Sequence, residues 1–240
     1  METKERQIVN LAKVEIEDYE SVRRYIVLRA VNRKRNRSLL ESTPHMDMLD
    51  LALICYIDLG ISEEGWTQAV RIRNRHLELW EVTKARLFED AFENTPKILP
   101  PLFVPLDDIM TGITENYTGD LTRDGYPRPE GLPLVFALTN GRKRYGACTL
   151  FYPGLLEEIQ MMIGSFYILP SSIHELFIVR DKDFVDPESL SEIVRSVNAE
   201  EEMTAEYLSD HVYYYGGSDV PLRIVSDACE VKDPSRDLVC

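Results

Sequence analysis

The sequence lacks any long apolar run. No stretch approaches the roughly 18 consecutive apolar residues of a membrane-spanning helix. The opening residues, METKERQIVNL, also lack the apolar core of a signal peptide. These two absences predict a cytoplasmic chain with no membrane association.

Basic residues are scarce and unevenly placed. The chain has 27 Lys and Arg against 41 Asp and Glu, a formal net charge of -14, which argues against a general nucleic-acid binder. Residues 1–37 hold ten basic and six acidic residues (+4), whereas 181–240 hold five basic and fifteen acidic residues (-10). The basic run over 33–37 is either a phosphate or nucleic-acid patch or a solvated helix entry. We favour the helix entry because no aromatic residue interrupts the run.

Cysteines and recognised catalytic motifs are also few. None of the four cysteines forms a CxxC pair, so the sequence predicts neither a zinc site nor a disulfide framework; the four are Cys55, Cys148, Cys229 and Cys240. The Walker A, GxGxxG, GxSxG and HExxH patterns are missing. We therefore predict free thiols, no metal and no cofactor.

The apolar content is ordinary at 44%, which is typical of a globular protein. A chain of 240 residues buries roughly 70% of its unfolded surface, enough for one large or two small domains.

Three passages each predict a hairpin followed by a helix. In the first, an apolar strand over 51–59 precedes a polar turn and a second strand within 66–74. A helix then begins after Thr83, a good N-cap, and is predicted to stop before Pro96.

The second passage repeats this order. A strand within 132–140 leads to the turn Asn140–Gly141 and to a second predicted strand over 145–153. A helix over 155–163 then ends at Gly164.

The third passage predicts strands over 166–170 and 175–181 and a helix with Asp186 as its cap and Pro187 at its first position. The helix has an apolar stripe of Leu190, Ile193, Val194 and Val197. Together the three passages predict an α+β fold, in which antiparallel sheets from tandem hairpin-plus-helix units carry helices packed on one face.

The segment over 96–133 is rich in Pro, Gly and Thr, which is typical of a domain boundary or a long surface connection. We predict an N-terminal α+β unit over 1–120 and a C-terminal α+β unit over 121–225. The acidic residues 226–240 contain few large apolar side chains and are predicted to be disordered.

The best catalytic candidates are Ser172, His174 and Glu175, which lie between two predicted strands. A hydroxyl, an imidazole and a carboxylate are the groups of acid–base or nucleophilic catalysis. The structural alternative, which we favour, is a tight turn in which the serines satisfy backbone groups.

Two further groups have the same two interpretations. Asp210 and His211 could form a metal or acid–base pair, although the residues that follow them resemble an edge strand or an aromatic packing corner. The run Tyr213–Tyr215 before Gly216–Gly217 could be a recognition surface. A strand that turns back at the glycines explains the same residues without a partner.

Several segments in order resemble an uncharacterised bacterial family, a domain of unknown function frequent in Gram-positive anaerobes. They are DLALICYIDL, RIRNRHLELWEVT, AFENTPKILP, FALTNGRKRYGACTLFYPG, FYILPSSIHELFIV and SEIVRSVNAEEEMTAEYLSDHVY. The resemblance covers roughly residues 20–215 and implies no activity and no catalytic residue. Similar proteins have a further α/β region ahead of these segments, so the resemblance implies that this chain lacks it.

The leading functional hypothesis is a non-catalytic protein-interaction or regulatory module that binds a basic protein through its acidic carboxyl-terminal part. The alternative is a hydrolase built around Ser172, His174 and Glu175, with Asp210 or His211 contributing. A nucleic-acid role confined to the basic amino-terminal end is the weakest of the three.

Overall fold

The computed structural model describes residues 15–61, 67–106, 135–183, 187–201 and 205–225. Its first sheet has four antiparallel strands, of which β3 is central: β1 (Ile26–Asn32), β2 (His45–Met48), β3 (Leu51–Ile61) and β4 (Thr67–Arg71). β1 pairs with one edge of β3, whereas β2 and β4 pair in succession with the other edge.

The second sheet has six strands, all antiparallel, in the order β10-β9-β7-β8-β6-β5. They are β5 (Pro101–Pro105), β6 (Val135–Asn140), β7 (Phe166–Pro170), β8 (Leu176–Arg180), β9 (Tyr213–Tyr215) and β10 (Arg223–Ile224). The third predicted hairpin is thus confirmed as β7–β8, and the tyrosine run is confirmed as a strand that turns back at Gly216–Gly217.

Among the described residues, six α-helices connect or cover the strands: α1 (Tyr19–Val22), α2 (Arg37–Glu41), α3 (Asn74–Trp80), α4 (Lys84–Ile98), α5 (Leu155–Ile163) and α6 (Pro187–Glu201). Short 3₁₀ helices occupy Arg23–Tyr25, Gly146–Phe151 and Asp181–Asp183. Helices and antiparallel sheets together confirm the α+β class. The basic run over 33–37 leads into α2, as the helix-entry interpretation predicted.

One apolar core joins the two sheets. It contains Leu28 and Leu53 of the first sheet, Phe136 and Ile168 of the second, and the apolar side of α5. Since side chains alternate along a strand, Leu169 and Val179 point away from this core and pack against α6. The second sheet therefore has helices on both faces, and not on one face as the sequence predicted, because both of its faces are apolar.

The edge of β1 is covered by α4. The backbone N–H of Leu28 donates to the Thr95 hydroxyl oxygen at 2.9 Å, and that hydroxyl donates to the carbonyl of Ala91. This contact satisfies an edge-strand donor that would otherwise be free to pair with another chain.

The predicted stop at Pro96 is wrong, because α4 continues to Ile98. Proline removes one N–H, but the backbone N–H of Leu99 donates to the carbonyl of Thr95 and the Thr95 hydroxyl bonds back to the previous turn. The last turn therefore forms around the proline.

The predicted strand over 145–153 is also wrong, because residues Gly146–Phe151 form a 3₁₀ helix. Both edges of β6 are already occupied, one by β5 and the other by β8. The segment instead docks on the β7–β8 turn, where Gly146 N–H and Ala147 N–H donate to the carbonyls of His174 and Ile173. The apolar run that predicted a strand reflects the burial of all six residues of this helix.

The apolar stripe of α6 is correct only in part. Leu190 and Val194 are buried, whereas Ile193 is 47% exposed. Asp186 lies outside the described residues, and the helix begins at Pro187 as predicted.

β5 precedes residue 120, yet it pairs with β6 of the second sheet. The boundary at about 120 and the segment 226–240 lie outside the described residues, so the division into two units and the disordered tail stay predictions.

Candidate functional site

The turn between β7 and β8 holds the three predicted catalytic residues. Ser172 is buried, and its hydroxyl oxygen accepts the backbone N–H of His174 at 3.0 Å. The Ser172 N–H donates to the carbonyl of Glu175 at 3.3 Å. These bonds form a tight turn, so Ser172 contacts the main chain of His174.

The imidazole of His174 has other partners. Its Nδ1 accepts the backbone N–H of Tyr145 at 3.0 Å, which in the neutral ring leaves the proton on Nε2. Nε2 lies 3.4 Å from Oε1 of Glu206, and the Tyr145 ring packs on the imidazole with 5.3 Å between centroids. The structure therefore places His174 with Tyr145 and Glu206. A catalytic role for Ser172, His174 and Glu175 stays a prediction.

Tyr145 leads from this turn to a polar surface on the first sheet, away from the common core. Along β1, Leu28 and Ala30 point into the core, so Arg29 points to the opposite face. On that face Tyr56 of β3 lies opposite Val27 of β1 and Arg71 of β4. We call the surface formed by Arg29, Tyr56, Arg71, Arg142 and Tyr145 the arginine–tyrosine face.

Arg29 lies between two aromatic rings. Its guanidinium carbon is 3.9 Å from the centroid of Tyr56 and 3.6 Å from that of Tyr145. Such cation–π contacts are each worth about 0.5–1 kcal/mol at exposed sites and more when desolvated. Because the N–H groups of a guanidinium lie in its plane, contacts to its two faces leave the edge donors for a further partner.

The loop over 141–145 brings the other two members to this surface. Asn140 shapes the loop, since its side chain accepts the N–H of Arg142 and donates to the carbonyl of Arg144. Within the loop, Lys143 and Tyr145 have φ values of 53° and 55°, which non-glycine residues rarely adopt. Such strain clusters at functional sites.

The charges on this face are not balanced. Arg142 forms an ion pair with buried Asp58, Nη1 to Oδ2 at 2.5 Å. No carboxylate of a described residue lies within ion-pair distance of Arg29 or Arg71. The Nε of Arg71 is also buried without a hydrogen-bond partner among the described residues. Buried polar groups normally have partners, so the unpaired Nε calls for an explanation.

A second polar group joins the β2–β3 turn to the start of β9. The carboxylate of Asp50 accepts hydrogen bonds from Ser209 Oγ at 2.7 Å and from Tyr213 OH at 2.7 Å, and its Oδ2 lies 3.1 Å from Nδ1 of His211. We call Asp50, Ser209, His211 and Tyr213 the Asp50 cluster. Burial, and next the charge of Asp50, raises the pKa of Tyr213 well above its usual value.

Asp210 and His211 do not form the pair that their adjacency allowed. His211 turns to Asp50, whereas Asp210 accepts from Nδ2 of Asn198 at 3.2 Å. The two neighbours face different sides of an extended segment. Within the described ranges, no group of three or more His, Cys, Asp or Glu side chains is placed to hold a metal ion.

Two described cysteines are buried free thiols. Burial raises the pKa of Cys148 to about 12 and the pKa of Cys55 still further. Neither thiol is therefore a thiolate near neutral pH. None of the helices in the described part of the chain is long and apolar enough to cross a membrane.

Of the residues in the arginine–tyrosine face and the Asp50 cluster, the sequence singled out only His211 and Tyr213, the latter as part of the tyrosine run. One signal was available: Arg29 interrupts the apolar strand IVLRAVN, and Asp58 and Arg71 are charged residues on strands of the same sheet. A charged residue inside an apolar strand marks the face away from the core. Nothing in the sequence indicated that Tyr145, from the second sheet, lies over Arg29.

No curated protein and no solved structure matches the chain. The model of a family of unknown function, DUF5688, matches residues 1–216, which include every residue of the arginine–tyrosine face and of the Asp50 cluster. The match extends the resemblance seen over roughly 20–215 to the amino-terminal residues. The chain belongs to this family of unknown function, DUF5688.

Proposed function

We propose that the chain is a non-catalytic interaction or regulatory module of the bacterial cytoplasm, and that it binds its ligand at the arginine–tyrosine face. The observation that carries this proposal is Arg29, a guanidinium held between two tyrosine rings with no carboxylate partner in the described part of the chain. Side chains held in place before binding lose little entropy when a ligand arrives.

The nucleophilic candidates support a non-catalytic role. The Ser172 hydroxyl accepts a backbone bond inside a turn, and Nδ1 of His174 accepts the N–H of Tyr145. The described thiols are buried and protonated, in keeping with a reducing compartment.

A capture experiment tests the proposal. Immobilised wild type, an R29Q/R71Q double variant and R223Q are incubated with lysate of the native host, and retained proteins and small molecules are identified by mass spectrometry. Arg223 is a matched control because its guanidinium also lies over a tyrosine, Tyr214, at 5.2 Å. We expect a species that wild type and R223Q retain and the double variant loses. Identical sets from all three proteins, or no retained species, contradict the proposal.

A basic protein is the proposed partner for the acidic part of the chain, motivated by the net charge of -10 over residues 181–240. Capture of such a partner should weaken as salt rises, since exposed charges are screened within about 8 Å at physiological ionic strength. Failure to retain a basic protein at low ionic strength argues against this partner.

A hydrolase around Ser172, His174 and Glu175 is the second candidate. Its support is the position of His174, whose side chain is 23% exposed beside the arginine–tyrosine face and close to Glu206. A panel of p-nitrophenyl esters and phosphates tests it. Turnover that S172A and H174A both abolish supports a hydrolase, whereas equal turnover in the variants, or none in wild type, contradicts it.

A further inference from the structure

We infer that the group recognised at the arginine–tyrosine face is a phosphate-type dianion, carried by a small soluble molecule. This inference rests on the proposed function, since it names the ligand of the same face. It follows from the charges of the face, from the geometry of Arg29 and from the unpaired Nε of Arg71.

The charge of the face calls for a dianion. Its three guanidinium groups belong to Arg29, Arg71 and Arg142, and the only carboxylate paired with them in the described part of the chain is Asp58. Two positive charges therefore remain in excess, in a chain whose formal net charge is -14. A phosphate monoester carries about -1.5 to -2 charges near neutral pH, which matches this excess, whereas a single carboxylate leaves one cation unpaired.

The positions of Arg29 and Arg71, which have no carboxylate partner among the described residues, suit one ligand group. Arg29 and Arg71 lie on strands β1 and β4, which flank β3 on opposite sides, so the strands are about 10 Å apart. Tyr56 lies on β3 between them, and the guanidinium of Arg29 is turned over its ring. A dianion near Tyr56 would meet edge donors of Arg29 and would lie beside Arg71, which is opposite Tyr56 in the sheet and whose buried Nε has no partner among the described residues.

Arg142 positions the loop that carries Tyr145. Asp58 is buried, and it accepts both from Arg142 and from the backbone N–H of Gly60 at 2.8 Å. This pairing ties the loop of Tyr145 to the first sheet, so the second ring stays over Arg29. The face is thus assembled before any ligand arrives, which favours binding of a small anion despite the negative charge of the whole chain.

Calorimetric titration of the full-length protein tests the inference at constant ionic strength. The probes are inorganic phosphate, phenyl phosphate and sulfate, with acetate as a monoanion of comparable size. We expect the three dianions to bind and acetate to bind at least tenfold more weakly. Comparing the affinities of phenyl phosphate and inorganic phosphate shows whether the face prefers a phosphate ester or the free ion.

Variants locate the binding. R29Q and R71Q should each weaken phosphate binding about tenfold to a hundredfold, because each removes charge-assisted hydrogen bonds. R29K, which keeps the charge but not the planar guanidinium, should also weaken it, whereas R223Q should bind as wild type does. Circular dichroism shows whether each variant is folded. If R29Q does not fold, R71Q alone tests whether phosphate binds at this face.

Three results would overturn the inference: acetate binding as tightly as phosphate, phosphate binding that R29Q and R71Q leave unchanged, or no dianion binding at all. If no dianion binds but the double variant still loses its captured species, the proposed function stands and the ligand class is wrong. If the dianions bind and capture is identical in all variants, the proposed function fails although the anion site exists.

Discussion

The arginine–tyrosine face and the Asp50 cluster differ in how their charges are satisfied. Both lie where the first sheet meets segments of the second. In the Asp50 cluster, one carboxylate receives donors from Ser209, His211 and Tyr213. In the arginine–tyrosine face, Arg29 has aromatic neighbours and no carboxylate among the described residues. A satisfied polar group stabilises the fold, whereas a cation without a counter-charge is available to a ligand.

The two regions share one connecting segment. Glu206 approaches His174 beside the face, and Ser209 and His211, a few residues later, bond to Asp50. Between them, the side chain of Asn32 on β1 donates to the carbonyl of Leu208 at 2.9 Å. Although they share this segment, we expect changes in the Asp50 cluster to alter stability, because its carboxylate is satisfied within the fold. We expect changes in the arginine–tyrosine face to alter binding, because Arg29 has no carboxylate partner among the described residues.

The largest expected effect is that of D50A. It removes the acceptor of three donors and leaves the buried hydroxyl of Tyr213 without its partner, so we expect the free energy of unfolding to fall by about 3 kcal/mol. Urea unfolding followed by circular dichroism measures the change. A loss below about 0.5 kcal/mol, the range of ordinary surface substitutions, would show that the cluster does not hold the fold.

G146A perturbs the face without removing a charge. A Cβ at this position would lie 2.5 Å from the carbonyl oxygen of His174 and 2.8 Å from the backbone nitrogen of Asn140, and would also collide with Thr139 Oγ1. We expect a loss of about 2 kcal/mol in unfolding free energy, typical of overpacking, together with weaker phosphate binding. G141A is the matched control, because a Cβ there meets nothing closer than 3.7 Å. Equal stability of the two variants contradicts the tight packing.

Y213F removes one hydroxyl and keeps the ring in the core. Since that hydroxyl donates to a carboxylate, we expect a loss of about 1.5 kcal/mol in unfolding free energy. Y214F, whose hydroxyl donates to Asp181 at a half-buried position, should cost less in the same urea titration. The opposite order would show that the Tyr213–Asp50 bond between the sheets contributes less to stability than the Tyr214–Asp181 bond within the second sheet.

R29Q should change stability less than either Asp50 cluster variant, although it should have the largest effect on binding. The two cation–π contacts of Arg29 predict a loss of about 1 kcal/mol in unfolding free energy. If R29Q lowers the free energy of unfolding by about 3 kcal/mol or more in a urea titration, Arg29 stabilises the fold as strongly as Asp50 does. The contrast between a stabilising cluster and a binding face would then disappear.

Thiol labelling gives the smallest and most local readout. Cys148 lies beside the loop of the face, and its Sγ is 3.2 Å from the carbonyl of Tyr145, whereas Cys55 lies inside β3. With its thiol buried and its pKa raised to about 12, Cys148 should resist iodoacetamide at pH 8 in the native protein. As urea rises, peptide mass spectrometry should detect Cys148 labelling before Cys55 labelling. Simultaneous labelling would show that the loop opens only with the whole fold.

Local patterns predicted the three longest described helices and strands β3, β4, β6, β7 and β8, because the physical cause of each was local. Gly164 ends α5 with a φ of 83°, Thr83 caps α4 through the N–H of Arg86, and Pro187 begins α6. The prediction failed over 146–151, where an apolar run matched a strand but β6 had no free edge. Pairing partners are a property of the assembled sheet, which no window of sequence contains.

The sequence by itself determined the α+β class, strands β3, β4, β6, β7 and β8, the caps at Thr83 and Gly164, and the turn at Ser172, because period, capping and turn chemistry act over a few residues. It did not predict β1, β2 or β5. Only the tertiary structure decided which polar side chains meet. Arg29 and Tyr145 are 116 positions apart, and Asp50 and Tyr213 are 163 apart. Such contacts depend on how two sheets share one core, and on which charges that packing pairs and which it leaves for a ligand.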